Sequence, residues 1–491
     1  MEFLLSALQF IGIILLVIMI FNIMIVVHEW GHFLAGRWRG LHIDRFQIWF
    51  GKPIWKKTVN GVQYGLGSIP AGGFVSLPQM APMEAIEGQV EEDSEAAKIR
   101  DLPPITPLDK IIVAAAGPLF SFLLAVAFAC IVWIVGKPSS DVVSTTKIGF
   151  VLEDSPAEKA GLNVGDEITF IDGKQVERFQ GMDNSIMWTI ISSENQNIEV
   201  NFIRDGEEMS VMVERPATAE HASVDGPWYS KVWAYLSRRP ALRTIGIGPH
   251  RSAVVAEMLP NSPAAASDLK QGDIILKVDD KVVSQPEDLI GVVWEENKEV
   301  TVEYQRGDKV TTTSMVPRVP EKHGTDPRLG ILWDSEGVRT LDTVNPITQV
   351  FDSVQAIVFT LQAVFSPKSD VSAGHLSGPF GIMGLYYDLF QHEDGWRKAL
   401  WFSVLLNVNL AILNLLPFPV LDGGHIVMAT VEWVGRRPIP FKVLEVVQTA
   451  FVLFLLGFMA FVTLKDVGDR IPDGEAPERK PMAEFLPVNQ E

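Results

Sequence analysis

Long apolar runs alternate with long polar stretches along the chain, and this pattern predicts membrane-spanning helices. A helix that crosses a bilayer needs about 20 residues. The long uncharged apolar runs are 4–27, 111–135, 399–421 and 446–464. A shorter run, 353–365, follows Asp352 and is typical of a helix lying on the membrane surface. The predicted fold class is therefore a polytopic α-helical membrane protein with four transmembrane helices.

Basic residues cluster beside two of these runs and predict the orientation of the chain. They follow the first run and lie between the third and fourth: Arg37, Arg39, Arg45, Lys52, Lys56, Lys57, Arg436, Arg437 and Lys442. Both loops are expected in the cytoplasm, with both termini and region 136–398 on the other side, although Arg397 and Lys398 weigh against this. The first run is expected to be retained, because it follows Met1-Glu2 without the basic segment of a signal peptide.

The amino-acid composition further limits which classes of protein and of partner are possible. The chain of 491 residues is 47% hydrophobic yet 21% charged, which indicates membrane spans joined to polar domains. Its net charge of −19 argues against a nucleic-acid partner, because phosphate binding needs a basic face. Cys130 is the single cysteine in the sequence, so an intrachain disulfide is excluded.

The polar region contains an internal repeat. Residues 155–176 align without gaps with 262–283, and 10 of the 22 positions are identical. Each copy begins Ser-Pro-Ala, which predicts a short capped helix, and continues through a Gly-Asp turn into an alternating strand. Two copies predict two similar α+β domains in tandem, at 145–248 and 249–335.

The segment His28-Glu29-Trp30-Gly31-His32 carries the strongest chemical signal. On a helix, His28 and His32 lie one turn apart on one face, so both imidazoles can bind one Zn²⁺. Glu29 lies beside them, where a general base is needed. Ionisable groups inside a membrane span indicate function. The alternative is a solvated loop just beyond the membrane edge.

A catalytic zinc site needs a third protein ligand, and Asp422 is the best candidate. It ends the third predicted span on the same side of the membrane as His32, so the topology brings the two together. Pro417 and Pro419 cannot continue a regular helix, and broken backbone at membrane depth occurs only inside protein or beside a wet cavity. His425 is a rival ligand, but it is interpreted as a solvated residue beyond the span.

These motifs resemble the site-2 protease family of intramembrane zinc metalloproteases. The family has HExxH at the end of a first span and Asn-x-x-Pro-x-Pro-x-x-Asp-Gly, here 414–423, in a later one. The repeat is similar to the PDZ domains of bacterial proteases, and two such domains between the second and third spans resemble the RseP-like branch, the regulator of sigma-E proteases. Similar segments also occur at 68–75, 116–118 and 376–380. Ser121 stands where the family usually has Asn.

The resemblance implies Zn²⁺ as the cofactor, with His28, His32 and Asp422 as its ligands and Glu29 as the catalytic residue. It implies a metalloendopeptidase in the bacterial inner membrane, with the PDZ domains in the periplasm and the active site near the cytoplasmic side. The expected substrate is a single-span membrane protein already trimmed outside the membrane, such as an anti-sigma factor.

A substrate helix must unwind before cleavage, and its exposed backbone then needs partners. A membrane-associated β-hairpin near 62–77, which includes Gly72 and Gly73, is expected to offer a strand edge. Asn409 and Asn414 are expected to bond the substrate backbone or, alternatively, to join helices within the enzyme.

Other readings of the chain are weaker. A non-enzymatic membrane scaffold that displays PDZ domains would explain the repeat. It would not explain why His28 and His32 have the spacing of metal ligands inside a membrane span. A periplasmic serine protease would need a Gly-x-Ser-x-Gly motif between the spans, and the sequence has none there. The PDZ domains themselves either bind peptides through the loops at 245–247 and 329–331 or serve as rigid spacers. The rest of the chain is predicted to consist of four spans, a loop, surface helices and a tail. The spans lie in 1–36, 106–136, 398–425 and 444–466, the cytoplasmic or membrane-associated loop in 37–105, the membrane-surface helices in 336–397, and the disordered tail in 467–491.

Overall fold

The computed structural model describes residues 2–80, 102–214, 236–239, 242–296, 298–322, 325–436, 441–471 and 484–485. Its longer helices are α1 (Glu2–Trp38), α2 (Pro107–Val135), α6 (Pro346–Phe365), α7 (Pro379–Phe390), α8 (Gly395–Asn414), α9 (Asp422–Gly435) and α10 (Phe441–Gly468). Four helical segments in this part of the chain are long and apolar enough to cross a membrane: Leu4–Trp38, Pro107–Val135, Pro346–Phe365 and Val446–Gly468. The protein is a membrane protein of helices combined with β-sheets.

Helix α8, the third predicted span, does not reach that hydropathy because it carries asparagines and two basic residues. It lies inside the helical bundle instead. Val404 and Val408 pack against Ala125 and Ala129 of α2, and all four are nearly inaccessible. A helix surrounded by protein needs less apolar surface than one surrounded by lipid. The predicted run 399–421 is also too long, since the helix ends at Asn414.

Helix α6 is longer than the 13 residues predicted for a surface helix. Asn345 caps it and Pro346 occupies its first turn, so it begins before Asp352. Near its start, Gln349 donates to the Ala129 carbonyl of α2 at 3.2 Å. At its other end, Ala363 packs against Ile191 of the first repeat domain. The start of α6 therefore contacts the last third of α2, and its end contacts the first repeat domain.

Residues 45–76 form a four-stranded sheet. Its strands are β1 (Arg45–Phe50), β2 (Trp55–Val59), β3 (Val62–Leu66) and β4 (Ile69–Ser76), in the order β2-β3-β1-β4. The predicted hairpin at 62–77 is wrong: β3 and β4 are not partners, because β1 lies between them, parallel to β3 and antiparallel to β4. Strand β4 is consequently at an edge of the sheet.

The two repeat domains have the same strand order, as the sequence repeat predicted. The first contains β6 (Ile148–Val151), β7 (Glu167–Ile171), β8 (Lys174–Gln175), β9 (Asn197–Arg204), β10 (Glu207–Glu214) and β11 (Ile247–Pro249), with the short helices α4 (Pro156–Lys159) and α5 (Ile186–Ser192). The second contains β12 (Val255–Met258), β13 (Ile274–Val278), β14 (Lys281–Val282), β15 (Val300–Arg306), β16 (Lys309–Met315) and β17 (Ile331–Trp333). Sheet β10-β9-β7-β8 corresponds to β16-β15-β13-β14, and pair β6–β11 to β12–β17.

Equivalent side chains hold equivalent turns in the two domains. The Gly-Asp turn of each repeat places a buried carboxylate against an arginine at 2.7 Å, Asp166 with Arg204 and Asp273 with Arg306. A repeated structural ion pair explains why the Gly-Asp motif recurs in the sequence.

The repeat domains are joined to the helices at several points. Strands β5 (Lys137–Ser140) and β18 (Arg339–Asp342) pair where the chain leaves α2 and returns to α6, and α3 (Asp141–Ser144) follows β5. Arg243 of the first domain pairs with Asp370 at 2.7 Å, and Arg239 pairs with Asp466 near the end of α10 at 2.6 Å. The first repeat domain is thus joined by ion pairs to α10 and to the segment between α6 and α7, as well as by the chain.

The predicted disordered tail needs a partial correction. Residues 467–468 are the last turn of α10, and Glu484 and Phe485 contact the second repeat domain. The rest of the tail, 472–483 and 486–491, lies outside the described residues.

Candidate active site

Close approach of α1 and α2 creates the site. A Cβ on Gly31 would lie 2.4 Å from the Ala116 carbonyl oxygen, and one on Gly117 would lie 2.1 Å from His32 Nε2. Neither position admits a larger residue without displacement. The Ala116-Gly-Pro118 segment therefore provides the space that the imidazoles occupy, a role that no motif in the sequence predicts.

His28 and His32 project from one face of α1, with their Nε2 atoms 3.2 Å apart. They lie within the helix, so the alternative of a solvated loop is wrong. Both are largely buried, at 9% and 6% exposure. At 1.5 Å per residue, His32 lies roughly 9 Å before the end of α1.

The helical backbone is interrupted after α8, and the next helix begins with Asp422 close to the two histidines. Residues 415–421 form turns, and Asp422 is the first residue of α9, so it begins a helix and does not end a span. Its Oδ2 lies 3.2 Å from His28 Nε2, and its Oδ1 lies 3.3 Å from His32 Nε2. Gly423 and Gly424 allow the turn, because a Cβ on either would lie within 2.2 Å of a backbone carbonyl oxygen.

The far side of each imidazole is held by α2. His32 Nδ1 donates to the Val113 carbonyl at 2.8 Å, so Nε2 is the ring nitrogen that faces Asp422. His28 Nδ1 lies 3.0 Å from Ser121 Oγ. Ser121, which replaces the family's usual asparagine, therefore keeps a polar contact with a histidine. Long-range packing of α2 on α1 determines both contacts, and no local motif indicated them.

The three side chains fit a zinc ion. Their ligand atoms all lie within 4.8 Å of one another. Tetrahedral zinc with bonds of about 2.0–2.1 Å separates neighbouring ligand atoms by about 3.3 Å. The two Nε2 atoms are 3.2 Å apart, and each lies 3.2–3.3 Å from one oxygen of the Asp422 carboxylate, Oδ2 for His28 and Oδ1 for His32. Two imidazoles and one carboxylate are a donor set that zinc accepts, and outer partners that orient the imidazoles are typical of such sites.

A cavity of about 10 Å³ adjoins this triad. Its lining includes Glu29, His32, Asp422 and His425, with apolar side chains around them. That volume is close to the minimum that holds one water molecule. His425 is 6% exposed, so its interpretation as a solvated residue beyond the span is wrong. It lies on α9 beside Asp422 but is not part of the triad.

The other predicted site residues lie at different distances from Glu29 and from the cavity beside the triad. Gly73 is close, since a Cβ there would lie 3.5 Å from Glu29 Cγ. Gly72 has a positive φ of 72°, and a Cβ there would overlap the Phe50 ring. Asn409 and Asn414 lie on α8 and are not among the described residues that line the cavity.

The fold and the site define a membrane-embedded metallopeptidase. A model of peptidase family M50 matches residues 16–458. The chain therefore belongs to peptidase family M50, and it is a zinc metalloprotease of the site-2 type that cleaves within the membrane. The predicted family, its RseP-like branch and the predicted reaction are confirmed, and the scaffold alternative is not favoured.

Similar proteins cover nearly the full length of the chain. A putative zinc metalloprotease of Xylella fastidiosa (strain Temecula1) is 26% identical over 94% of this chain and 99% of that protein. The regulator of sigma-E protease RseP of Escherichia coli (strain K12) is 26% identical over 90% of this chain and 95% of that protein. A solved PDZ domain of an SdrC-like protein from Listeria monocytogenes matches 17% of this chain and 88% of that chain, at 23% identity and a TM-score of 0.16.

Proposed function

We propose that His28, His32 and Asp422 hold the catalytic zinc ion and that Glu29 is the catalytic base. The observation that carries this assignment is the buried triad in which each imidazole Nε2 lies 3.2–3.3 Å from a different oxygen of the Asp422 carboxylate, and the two Nε2 atoms lie 3.2 Å apart. Glu29 is not a member of the triad but lines the same cavity, which suits a base better than a ligand.

In the proposed reaction, the zinc ion and the side chains of the protein have different roles. Zinc, when bound, acidifies water and polarises the scissile carbonyl. Glu29 takes the proton from the attacking water and returns it to the leaving amide nitrogen. The Val113 carbonyl and Ser121 hold the imidazoles in orientation, so the ligand set is formed before substrate arrives.

An unwound substrate segment needs a partner for its backbone, and the edge of β4 suits this role. Strand β4 has one neighbour, β1, within the described sheet, and it passes Glu29 at Gly73. Extended peptides commonly add a strand to such an edge. The substrate role of Asn414 and Asn409 stays a prediction. For Asn409, helix joining has little support, because its buried Oδ1 has no hydrogen-bond partner among the described residues.

The proposed topology has four spans, α1, α2, α8 and α10, with α6 lying along the membrane surface. Contacts at both ends of α6 with the repeat-domain side of the molecule support an in-plane helix. In the proposed topology the repeat domains lie in the periplasm and the zinc site faces the cytoplasm of a bacterial inner membrane, in keeping with the basic residues after α1 and α9. We further propose that the repeat domains are PDZ domains, as their shared strand order and glycine-containing loops indicate.

The proposed substrate class follows from the relatives and from the buried site. Several relatives are named regulator of sigma-E protease, which suggests a membrane-anchored anti-sigma factor as the substrate. A single span, already trimmed outside the membrane, is the form that can reach residues between α1 and α2.

Zinc content and cleavage measured together test the assignment. We expect about one zinc per chain in the purified wild type, and loss of both zinc and cleavage in His28→Ala. His42→Ala is the matched control, because His42 is exposed and pairs with Asp44 away from the site. Full zinc content in His28→Ala would remove this residue from the ligand set.

The repeat domains are proposed to act mainly as a size filter. The ion pairs of Arg239 with Asp466 on α10 and of Arg243 with Asp370 in the segment after α6 join the first domain to the helical part of the molecule, which supports an obstruction that stays in place. A substrate with a bulky outer domain would be excluded, while a trimmed one would pass.

Removal of residues 147–333 tests the filter. A flexible linker can replace them, because paired strands β5 and β18 lie outside the deletion and keep the chain ends together. We expect the deletion protein to cleave full-length, untrimmed substrate in cells, as judged by immunoblotting. If the deletion protein cleaves trimmed substrate but still does not cleave untrimmed substrate, the repeat domains are not a size filter. Equal loss of all cleavage would indicate instead that the domains are docking sites.

A further inference from the structure

The C-terminal segment Glu484–Phe485 lies against the second repeat domain as an added strand. The Glu484 amide donates to the Lys322 carbonyl at 3.1 Å, and the Glu321 amide donates to the Glu484 carbonyl at 2.9 Å. These bonds form an antiparallel bridge between Lys322 and Glu484. The segment therefore binds as an extended peptide, through its main chain.

Phe485 supplies most of the contact. Its side chain is 4% exposed, and burying an aromatic ring contributes far more than an exposed ion pair. A Cβ on Gly330 would lie 3.2 Å from the Phe485 ring, so the ring packs at the loop 329–331. The Lys322–Glu484 ion pair, at 2.7 Å, is more than half exposed on both sides and adds mainly specificity.

In the described part of the first repeat domain, no isolated bridge corresponds to the one between Lys322 and Glu484. Its strand order is the same, and the core of the second domain is formed by residues of that domain without Phe485. The two domains differ where the tail is bound. Asn261 donates its side-chain amide to the Phe485 carbonyl at 3.2 Å, whereas the equivalent residue of the first repeat is Asp154, whose carboxylate cannot donate.

We propose that Glu484–Phe485 is an internal peptide ligand of the second repeat domain. The surface formed by Asn261, Glu321, Lys322 and Gly330 recognises an extended segment in which an acidic residue precedes an aromatic one. Residues 471 and 484 are separated by a stretch that can span up to about 45 Å when extended. This tether keeps the ligand at high local concentration, so an outside peptide of the same chemistry must compete with it.

Hydrogen exchange in the full-length, detergent-solubilised protein tests the proposal. We expect Phe485→Ala to raise exchange of the backbone amides in 318–330 by about 10-fold or more, because the main-chain bonds lose their anchor. Val282→Ala is the matched control: it removes an apolar side chain that is 71% exposed on β14 of the same domain, and should leave 318–330 unchanged. Unchanged exchange in Phe485→Ala would overturn the proposal.

Two further measurements keep a folding defect from being mistaken for release of the tail. Asn261→Asp, which copies the first repeat, should also raise exchange in 318–330 while β13 and β15 stay protected. A synthetic peptide of residues 480–491 should restore protection to Phe485→Ala, and the same peptide with alanine at 485 should not. Failure of the unmodified peptide at millimolar concentration would contradict recognition of this segment.

Photocrosslinking decides whether the ligand is internal. With p-benzoylphenylalanine at position 485, we expect adducts to 318–330 in chains that migrate as monomers. Adducts found only between two copies would overturn the internal assignment. None of these experiments depends on protease activity, so their outcome is separate from that of the proposed catalytic site.

Discussion

Glu29→Gln is expected to abolish cleavage while zinc content stays near the wild-type value. The substitution keeps the size of the side chain but removes the group that accepts and returns the proton. General acid–base catalysis contributes about 10²–10⁴-fold, and Glu29 acts in two proton transfers, so a loss of at least about 10³-fold is expected. Zinc should remain because Glu29 lies outside the triad of His28, His32 and Asp422.

The measurement is the initial rate of cleavage of a membrane substrate in detergent, alongside metal analysis of the same preparation. Glu432→Gln is the matched control, because Glu432 also lies in the helical region and pairs with Lys110 at 2.7 Å, away from the cavity. Near wild-type cleavage by Glu29→Gln would show that the proposed base is wrong. Loss of zinc would show that Glu29 is a ligand.

Asp422→Asn is expected to weaken zinc binding as well as activity. The neutral amide removes the negative charge that complements the ion, although its shape is nearly the same. Changing an outer partner of a metal ligand typically lowers affinity 10–100-fold, so loss of a ligand should lower it by at least about 100-fold. Titration with a chelator, followed by metal analysis, measures this directly.

His425→Ala provides the comparison for that experiment. His425 is buried beside Asp422 and lines the same cavity, yet its ring is outside the triad. We expect this variant to retain zinc under mild chelation. The opposite result, with zinc retained in Asp422→Asn and lost in His425→Ala, would reassign the third ligand.

The parts of the site that the sequence predicted are those set by short-range geometry. Helical periodicity alone places His28 and His32 on one face, with Glu29 beside them. Asp422 was predictable because Pro417 and Pro419 break the helix inside an apolar run. The contacts of Ser121 and Val113 were not predictable, since they depend on how far α2 is shifted along α1. Gly117 could have been recognised, because a glycine next to a proline in an apolar helix suggests close packing.

The errors in the predicted fold have similar causes. A hairpin was expected at 62–77 because segment 68–75 resembles the membrane-associated hairpin of the family, but here β1 is inserted between β3 and β4. The surface helix was expected to start at Ser353, because Asp352 interrupts the apolar run. The Asn345-Pro346 pair, a helix cap followed by a proline, was the available signal for the earlier start. Burial of His425 was missed because the path of α9 beside α2 is a tertiary feature.

The pairing of β5 with β18 has a consequence for how this kind of protein is assembled. The two repeat domains enter and leave the membrane body through adjacent, antiparallel strands, from Lys137–Asp342 to Ser140–Arg339. A module whose ends lie side by side can be inserted, exchanged or lost with little effect on its host. The chain therefore connects the catalytic helices to the repeat domains at a single place, and the ion pairs of Arg243 and Arg239 are further links that a replacement module would have to supply or do without.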